Sequence, residues 1–279
     1  MRALIPLFAA AILLAGCMSE TTTTTTSSTT STGPSIPAAF TMDNGAAGCY
    51  EVVGLLLVDL AQAQKSLPAN WTAEDAQAAL LTPQPTGKGA IWFNGYSCAN
   101  STMARAPLAA AEFGVLVKAP RLDMNVTGNA STFNVYQVLH LTDSQAQREV
   151  LASVGAASGP ANVTVTQMSA GGSERGTVAV TNGSAAIYSF EFVGLLPDTF
   201  AGSADFWQQT PDGMATFHYE ITSRPVLQGT ATSCAFVDPA VQAVTGTADC
   251  RGTAAAVIVI PDQAWASELR WMPGVHAVA

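Results

Sequence analysis

Apolar side chains in this chain recur mostly at every second position or in short unbroken runs, the spacings of half-buried and fully buried strands. The run Glu51–Val58 predicts a buried strand, and Asp59–Lys65 one or two helical turns ending before Pro68. Thr72 and Asp75 have capping-box spacing, which predicts a helix through Asp75–Leu81. Gly89–Tyr96 and Phe113–Val117 predict strands, the first preceded by the turn signal Pro83–Gly87. A second capping box at Thr142-Asp143-Ser144-Gln145 is followed by Ala146, Val150, Leu151 and Val154 at helical spacing, with Gly155 as the stop. Val163–Val165, Thr177–Val180 and Ala186–Phe192 come next as strands, with Asn182-Gly183 marking a type I′ hairpin and Gly171–Gly176 another hairpin loop. Pro211-Asp212-Gly213 turns into Met214–Thr222, and Ala254–Ile260 completes the set. The pattern is mainly β, of the α+β class, with a few short helices and no internal repeat.

The N-terminus follows a different rule. One cation, Arg2, precedes an apolar stretch from Ala3 to Leu14 that is too short for a permanent membrane span, so residues 1–16 read as a signal peptide. Leu14-Ala15-Gly16-Cys17 resembles the lipobox of prokaryotic lipoproteins. That resemblance implies a diacylglyceryl thioether on Cys17 after cleavage, and two acyl chains hold a protein on a membrane where one does not. Residues 21–32 contain only threonine and serine, and the tract closes at Gly33-Pro34-Ser35-Ile36-Pro37. With no apolar face to bury, residues 17–37 read as a lipidated cysteine and a flexible tether open to O-glycosylation. The expected location is the cell envelope, on the extracytoplasmic face of a membrane.

Residues 38–279 read as one domain. With 48% hydrophobic residues in the whole chain, it can build a sizeable core. A formal charge of −9 and only three lysines, Lys65, Lys88 and Lys118, leave no basic patch for a phosphate backbone, which argues against nucleic-acid binding. Apart from Cys17, the cysteines are Cys49, Cys98, Cys234 and Cys250, an even set suited to an oxidising compartment. Of the three pairings, we favour Cys49 with Cys98 and Cys234 with Cys250, because the second closes a short local loop. No Cys-x-x-Cys spacing or neighbouring histidine supports a metal, and none is expected. Sequons at Asn70, Asn100, Asn125, Asn129, Asn162 and Asn182 are compatible with a glycoprotein, although a composition this rich in Asn, Thr and Ser produces them by chance.

The order of features resembles the acetoacetate decarboxylase-like superfamily over residues 50–236. The resemblance is carried by Leu67-Pro68-Ala69-Asn70-Trp71, by Ile91-Trp92-Phe93, by Ala109–Val117 containing Glu112, and by a helix with Arg148-Glu149 leading to Gly155. It implies a single domain on a curved, partly closed antiparallel sheet around an apolar cavity. It also implies a site: family decarboxylases use a lysine just after the Arg-Glu helix to form a Schiff base with a β-keto acid. Here the matching stretch, Val154–Pro160, contains no lysine. Without an amine there is no imine, so the resemblance implies a member lacking that activity.

Glu112 matches the family's active-site glutamate, with a strand-start carboxylate paired to Arg121 or Arg105 as the structural alternative. Arg148 is the second candidate ligand contact, with a solvated helix charge as its alternative. Lys118 reads as a strand-end surface lysine. His218 and Glu220 share a strand face, as an acid–base pair or two metal ligands would, but have no third partner in sequence. His140 reads as a satisfied core histidine and His276 as exposed. Trp71, Trp92, Trp207, Trp265 and Trp271 read mostly as core. No cofactor motif or Gly-x-Ser-x-Gly elbow is present. The expectation is a membrane-anchored binder of a small apolar molecule. Two alternatives stand beside it: an enzyme acting on a small carbonyl compound or lactone through carboxylates and water, and an envelope interaction protein without a ligand.

Overall fold

The computed structural model describes residues 38–80, 85–104, 107–123, 133–170, 173–250 and 255–278. The signal peptide, Cys17, the tether, Arg105, Asn125 and Asn129 lie outside the described residues, as do the first residues of the Pro83–Gly87 turn.

The first strands are β1 (Phe40–Asp43) and β2 (Ala46–Asp59), followed by helices α1 (Leu60–Lys65) and α2 (Ala76–Leu80). Next come β3 (Lys88–Ser101), β4 (Leu108–Leu116), β5 (Arg121–Leu122), β6 (Phe133–Thr142) and helix α3 (Gln145–Ser153). Strands β7 (Gly159–Pro160), β8 (Asn162–Ala170), β9 (Ser173–Asn182), β10 (Ala185–Thr210) and β11 (Gly213–Phe236) lead to helix α4 (Pro239–Thr245). Strands β12 (Ala255–Pro273) and β13 (Ala277–Val278) end the chain.

One large sheet runs in the order β7-β6-β4-β3-β2-β12-β11-β10-β9-β8, with β1 against β12 and a separate pair β13-β5. Strand β6 also pairs in parallel with β10, Phe133–Tyr136 against Ala204–Trp207, so the sheet curls back on itself and is partly closed. The long β10 makes this possible. Its first part pairs with β9 and its later part reaches β6, with bulges at Glu191/Phe192, Gly194/Leu196 and Phe200/Gly202 along the β10–β11 ladder. Bulges bend a strand and increase its twist, which is how one strand serves two layers.

Both faces of the central strands are buried, so these strands carry apolar runs instead of simple alternation. Val52, Leu56, Ile91, Phe93, Phe113 and Val115 point to an outer core completed by Val178, Phe190, Phe192 and Phe236. Their neighbours Val53, Leu55, Trp92, Tyr96, Ala110 and Leu116 point inward, to a core shared with Phe206, Phe217, Tyr219, Ile258, Ile260 and Leu269. This period-2 sorting fixes which polar residues enter the interior.

Local signals hold with some shifts of register. Helix α2 is capped by Asp75, whose Oδ1 accepts from Gln77 N at 2.9 Å; the helix starts at Ala76, four residues past Thr72, whose carbonyl accepts from Lys118 N instead. Helix α3 is capped by Ser144, which accepts from Gln147 N, while Thr142 Oγ1 accepts from Ser144 N at 3.1 Å. Asn182 pairs with Ala185 across the hairpin, and Gly183 at φ 58° supplies the left-handed backbone the turn needs. Ser173–Gly176, expected in a loop, belong to β9 and pair with β8.

Cys49 stands directly opposite Cys98 in the β2–β3 register and is bonded to it; Cys234 at the end of β11 is bonded to Cys250. These are the favoured pairings. The first bridge spans 49 residues, for which loop-closure entropy gives about 4 kcal/mol. Replacing both Cys49 and Cys98 by alanine is expected to lower the unfolding free energy by about 2–4 kcal/mol in urea titration; an unchanged midpoint would contradict this.

Candidate functional site

Inward parity brings a row of polar residues into the closed part of the sheet. On β2, Glu51 shares the face of Val53 and Leu55; on β3, Asn94 lies between Trp92 and Tyr96; on β4, Glu112 is two residues from Ala110. On β6, His140 stands opposite Glu112 in register. Glu112 is 2% exposed and His140 1%. Asn94 Nδ2 donates to Glu51 Oε1 at 2.8 Å and to Glu112 Oε2 at 3.2 Å, and Glu112 N donates to Asn94 Oδ1 at 2.6 Å. From β11, the Tyr219 hydroxyl donates to Glu112 Oε1 at 2.8 Å. Tyr96 is hydrogen-bonded to Tyr219, and the Tyr188 hydroxyl donates to the Asn94 carbonyl at 2.6 Å.

A largely enclosed cavity opens over this row, with about 40 Å³ of free volume. That is room for roughly three waters or one small guest. Val53, Leu55, Trp92, Phe133, Phe206, Ile258 and Ile260 form its apolar lining, and Glu51, Glu112, Tyr96 and Tyr219 its polar patch. Trp92 Nε1 is buried and has no hydrogen-bond partner among the described residues. Burial, with the charge of Glu112 adding to it, pushes the hydroxyls of Tyr96, Tyr188 and Tyr219 well above the usual phenol range. They therefore remain donors at neutral pH. No described lysine lines this cavity: Lys88 pairs with Asp59 at 2.6 Å, and Lys118 is exposed after β4.

Lys65 instead borders a second, open cleft of about 440 Å³, together with Pro68, Tyr136, Gln137, Gly155, Ala157, Gln208 and Gln209. The lysine-free stretch Val154–Pro160 thus meets this cleft through Gly155 and Ala157. Gln208 and Gln137 link the cleft towards the interior, since Gln208 Nε2 donates to Gln137 Oε1 at 2.6 Å and Gln137 Nε2 lies 3.2 Å from His140 Nδ1.

Of the residues singled out in the sequence, Glu112 lies in the cavity wall, hydrogen-bonded to Asn94 and Tyr219 and facing neither water nor Arg121, which is exposed on β5. Arg148 is half-buried on α3, donates to the Thr142 carbonyl at 2.6 Å, and does not line the cavity. His140 is a core residue but not a satisfied one: its Nε2 has no partner among the described residues. His218 pairs with Asp205 at 2.7 Å and not with Glu220, which is exposed; no metal-ligating cluster is found among the described residues. His276 is half-buried against Gln209, 3.1 Å away, because β13 docks the C-terminal segment on β5. Trp71, Trp207 and Trp271 are core. Glu51, Asn94, Tyr96 and Tyr219 were not singled out, although a glutamate or asparagine inside an apolar strand signals a buried polar site.

No family model matches the sequence, and no curated protein matches it. Solved structures do. Acetoacetate decarboxylase from Legionella pneumophila subsp. pneumophila str. Philadelphia 1 superposes with a TM-score of 0.54 at 10% identity, covering 86% of this chain and 89% of that one. A second acetoacetate decarboxylase gives 0.51 at 7% identity, covering 85% and 89%. The enduracididine biosynthesis enzyme MppR with HEPES buffer bound gives 0.50 at 10% identity, covering 89% and 90%. The fold is therefore acetoacetate decarboxylase-like, and at these identities the likeness is one of fold.

All five tyrosines are shifted upward, Tyr50 and Tyr136 also chiefly by burial. The unfolded chain releases phenolic protons near about pH 10 while the folded chain keeps them, so stability is held below that pH and lost as pH rises beyond it. Alkaline titration is expected to show phenolate absorbance emerging together with unfolding; full ionisation near pH 10 in the folded protein would contradict the burial.

Proposed function

We propose that this chain is a membrane-tethered binding protein that holds a small, largely apolar molecule in the barrel cavity, against the polar patch formed by Glu112 and Tyr219. The observation that carries the reading is the cavity itself, whose wall is apolar except for Ser203, the Nε1 of Trp92, unpartnered among the described residues, and carboxylates and phenols already held in hydrogen bonds. Such carboxylates and phenols orient a guest without being left unsatisfied in its absence. Imine chemistry in the cavity is disfavoured because no described lysine lines it. Lipid on Cys17 and the Thr/Ser tether would hold the domain at the envelope, which rests on the lipobox resemblance alone.

Ala204 lines the cavity and is buried, so Ala204→Phe fills it. Native mass spectrometry of protein released from its own membrane is expected to show a diacylglyceryl group on Cys17 and a retained small molecule that the filled variant has lost. Cys17→Ser is expected to leave the membrane fraction. Wild type and filled variant both emerging without a guest would overturn the binding reading, and an unlipidated Cys17 the tethering.

One observation favours a second reading, an enzyme acting on a small carbonyl compound. The 2.8 Å contact between Tyr219 and Glu112 places a proton donor and an acceptor together at the cavity wall, the components of general acid–base catalysis. Incubation with cyclopentanone in deuterated water separates the readings: deuterium entering beside the carbonyl, and lost in Glu112→Gln, selects the enzyme; its absence selects the binder.

A further inference from the structure

Four of the rings that line the barrel cavity stand against one another with their planes turned. Trp92 meets Phe206 with centroids 5.5 Å apart and planes at 80°, Phe206 meets Tyr219 at 5.3 Å and 85°, and Phe133 leans on Trp92 at 6.5 Å and 49°. Each comes from the inward positions of a different strand: Trp92 from β3, Phe133 from β6, Phe206 from β10 and Tyr219 from β11. Four strands thus supply one aromatic wall each. The face of an aromatic ring is electrically negative, and rings set at steep angles around one space surround a guest with that sign of field.

The same space is bordered by two carboxylates, Glu51 and Glu112, and by no lysine, arginine or histidine among its described lining residues. Glu112 is 2% exposed, and its charge adds to burial in pushing the hydroxyls of Tyr96 and Tyr219 upward. Its oxygens accept from neutral donors, Oε1 from Tyr219 at 2.8 Å and Oε2 from Asn94 at 3.2 Å. His140 Nδ1 lies 3.7 Å from Oε1 but does not neutralise it. The Ala157 carbonyl, 3.1 Å from Gln208 Nε2, fixes that group as NH2; it donates to Gln137 Oε1 at 2.6 Å, so Gln137 turns its own NH2 to His140 Nδ1 at 3.2 Å. A nitrogen that accepts there carries no proton, and the ring is neutral. Glu112 therefore sets a negative charge in the wall of an apolar space with no cationic side chain beside it among the described residues.

Negative ring faces and a buried carboxylate around one enclosed space favour a positive guest and repel an anion. Which cation follows from what the carboxylate has left to give. Both Glu112 oxygens already accept hydrogen bonds, so the wall offers charge more than open lone pairs, and a metal ion or a primary ammonium would exchange a full hydration shell for few acceptors. A methylated ammonium needs no acceptor. Its methyl groups enlarge the ion, which lowers the cost of stripping its water, and they suit the apolar lining. The free volume of about 40 Å³ limits the buried part to a small head group.

We propose that the barrel cavity binds a small methylated ammonium ion, its charge held by Glu112 and by the ring faces of Trp92, Phe206 and Tyr219. The proposal rests on the reading of the cavity as a small-molecule site and gives that molecule its chemical class.

The test is ligand-observed nuclear magnetic resonance on full-length protein, titrated at physiological ionic strength with tetramethylammonium and with tert-butanol, which share a tetrahedral shape and differ in charge. Wild type is expected to bind tetramethylammonium about tenfold more tightly than tert-butanol. Glu112→Gln, which keeps an oxygen for Tyr219, is expected to reduce that preference about tenfold, and Phe206→Leu, which keeps an apolar wall without a ring face, about threefold. Ala204→Phe, which fills the cavity, is expected to abolish binding of both. Wild type binding tert-butanol as tightly as the cation overturns the proposal whatever the variants do, and leaves the cavity reading intact. Cation binding that survives Ala204→Phe, or a preference unmoved by Glu112→Gln, places the ion elsewhere on an acidic surface and overturns it as well. If neither probe binds wild type, both readings fall.

Discussion

The amide of Asn94 is the contact on which the interior is built. Two glutamates point into an apolar barrel, and a buried carboxylate without donors costs several kcal/mol even after relaxation. Asn94 gives one N–H to each, accepts the Glu112 backbone N–H on its own oxygen, and takes the Tyr188 hydroxyl on its carbonyl. One residue in the middle of β3 therefore ties β2, β4 and β10 together at the depth where the cavity opens. An aliphatic residue there would fill similar space but would take away a donor that both carboxylates share.

This arrangement also decides what chemistry the cavity can host. The resemblance to decarboxylases puts a lysine after the Arg-Glu helix, where this chain has Val154–Pro160, and that stretch borders the open cleft instead. The nearest titratable groups of the cavity are carboxylates and phenols, and burial keeps the phenols protonated. Among the described residues, the wall thus offers donors and carboxylate oxygens but no nucleophilic amine. That inventory supports the proposed recognition by fit and hydrogen bonding, whereas bond-making would require the Tyr219–Glu112 pair to part with a proton that the fold holds between them.

Much of the fold was legible because its signals are local. The run Glu51–Val58, the hairpin at Asn182-Gly183 and the helix ending at Gly155 all appear where the residues put them. Asp238-Pro239 and Gly246 are equally good start and stop signals for α4: Asp238 accepts from Ala240 N, and Gly246 is left-handed. They were overlooked because the segment between them is only seven residues. The parallel contact of β6 with β10 left no trace, since it joins residues about seventy positions apart through backbone groups that carry no sequence identity. Glu112 could be found from its strand, but not its partners. Glu51, Asn94 and Tyr219 become neighbours only once three strands are in register, and parity along each strand gives the face without giving the offset between strands. His140 shows the opposite failure. Its apolar surroundings correctly placed it in the core, yet they did not reveal that Gln137 meets its Nδ1 while its Nε2 has no partner among the described residues.

The described residues lining the cavity lie on β2, β3, β4, β6, β10, β11 and β12, and none of these comes from a helix or a connecting loop. A site carried by hydrogen-bonded strands is held in place before a guest arrives, so little ordering entropy is lost on binding, and little adjustment is available either. The exception is β10, where the bulge between Phe200 and Gly202 breaks the ladder with β11 just before the lining residues Gly202, Ser203 and Ala204. A bulge leaves backbone groups out of register and lets a strand bend locally. On the proposed binding reading, the wall can give at this edge, while the Asn94–Glu112–Tyr219 patch is held by hydrogen bonds between three strands.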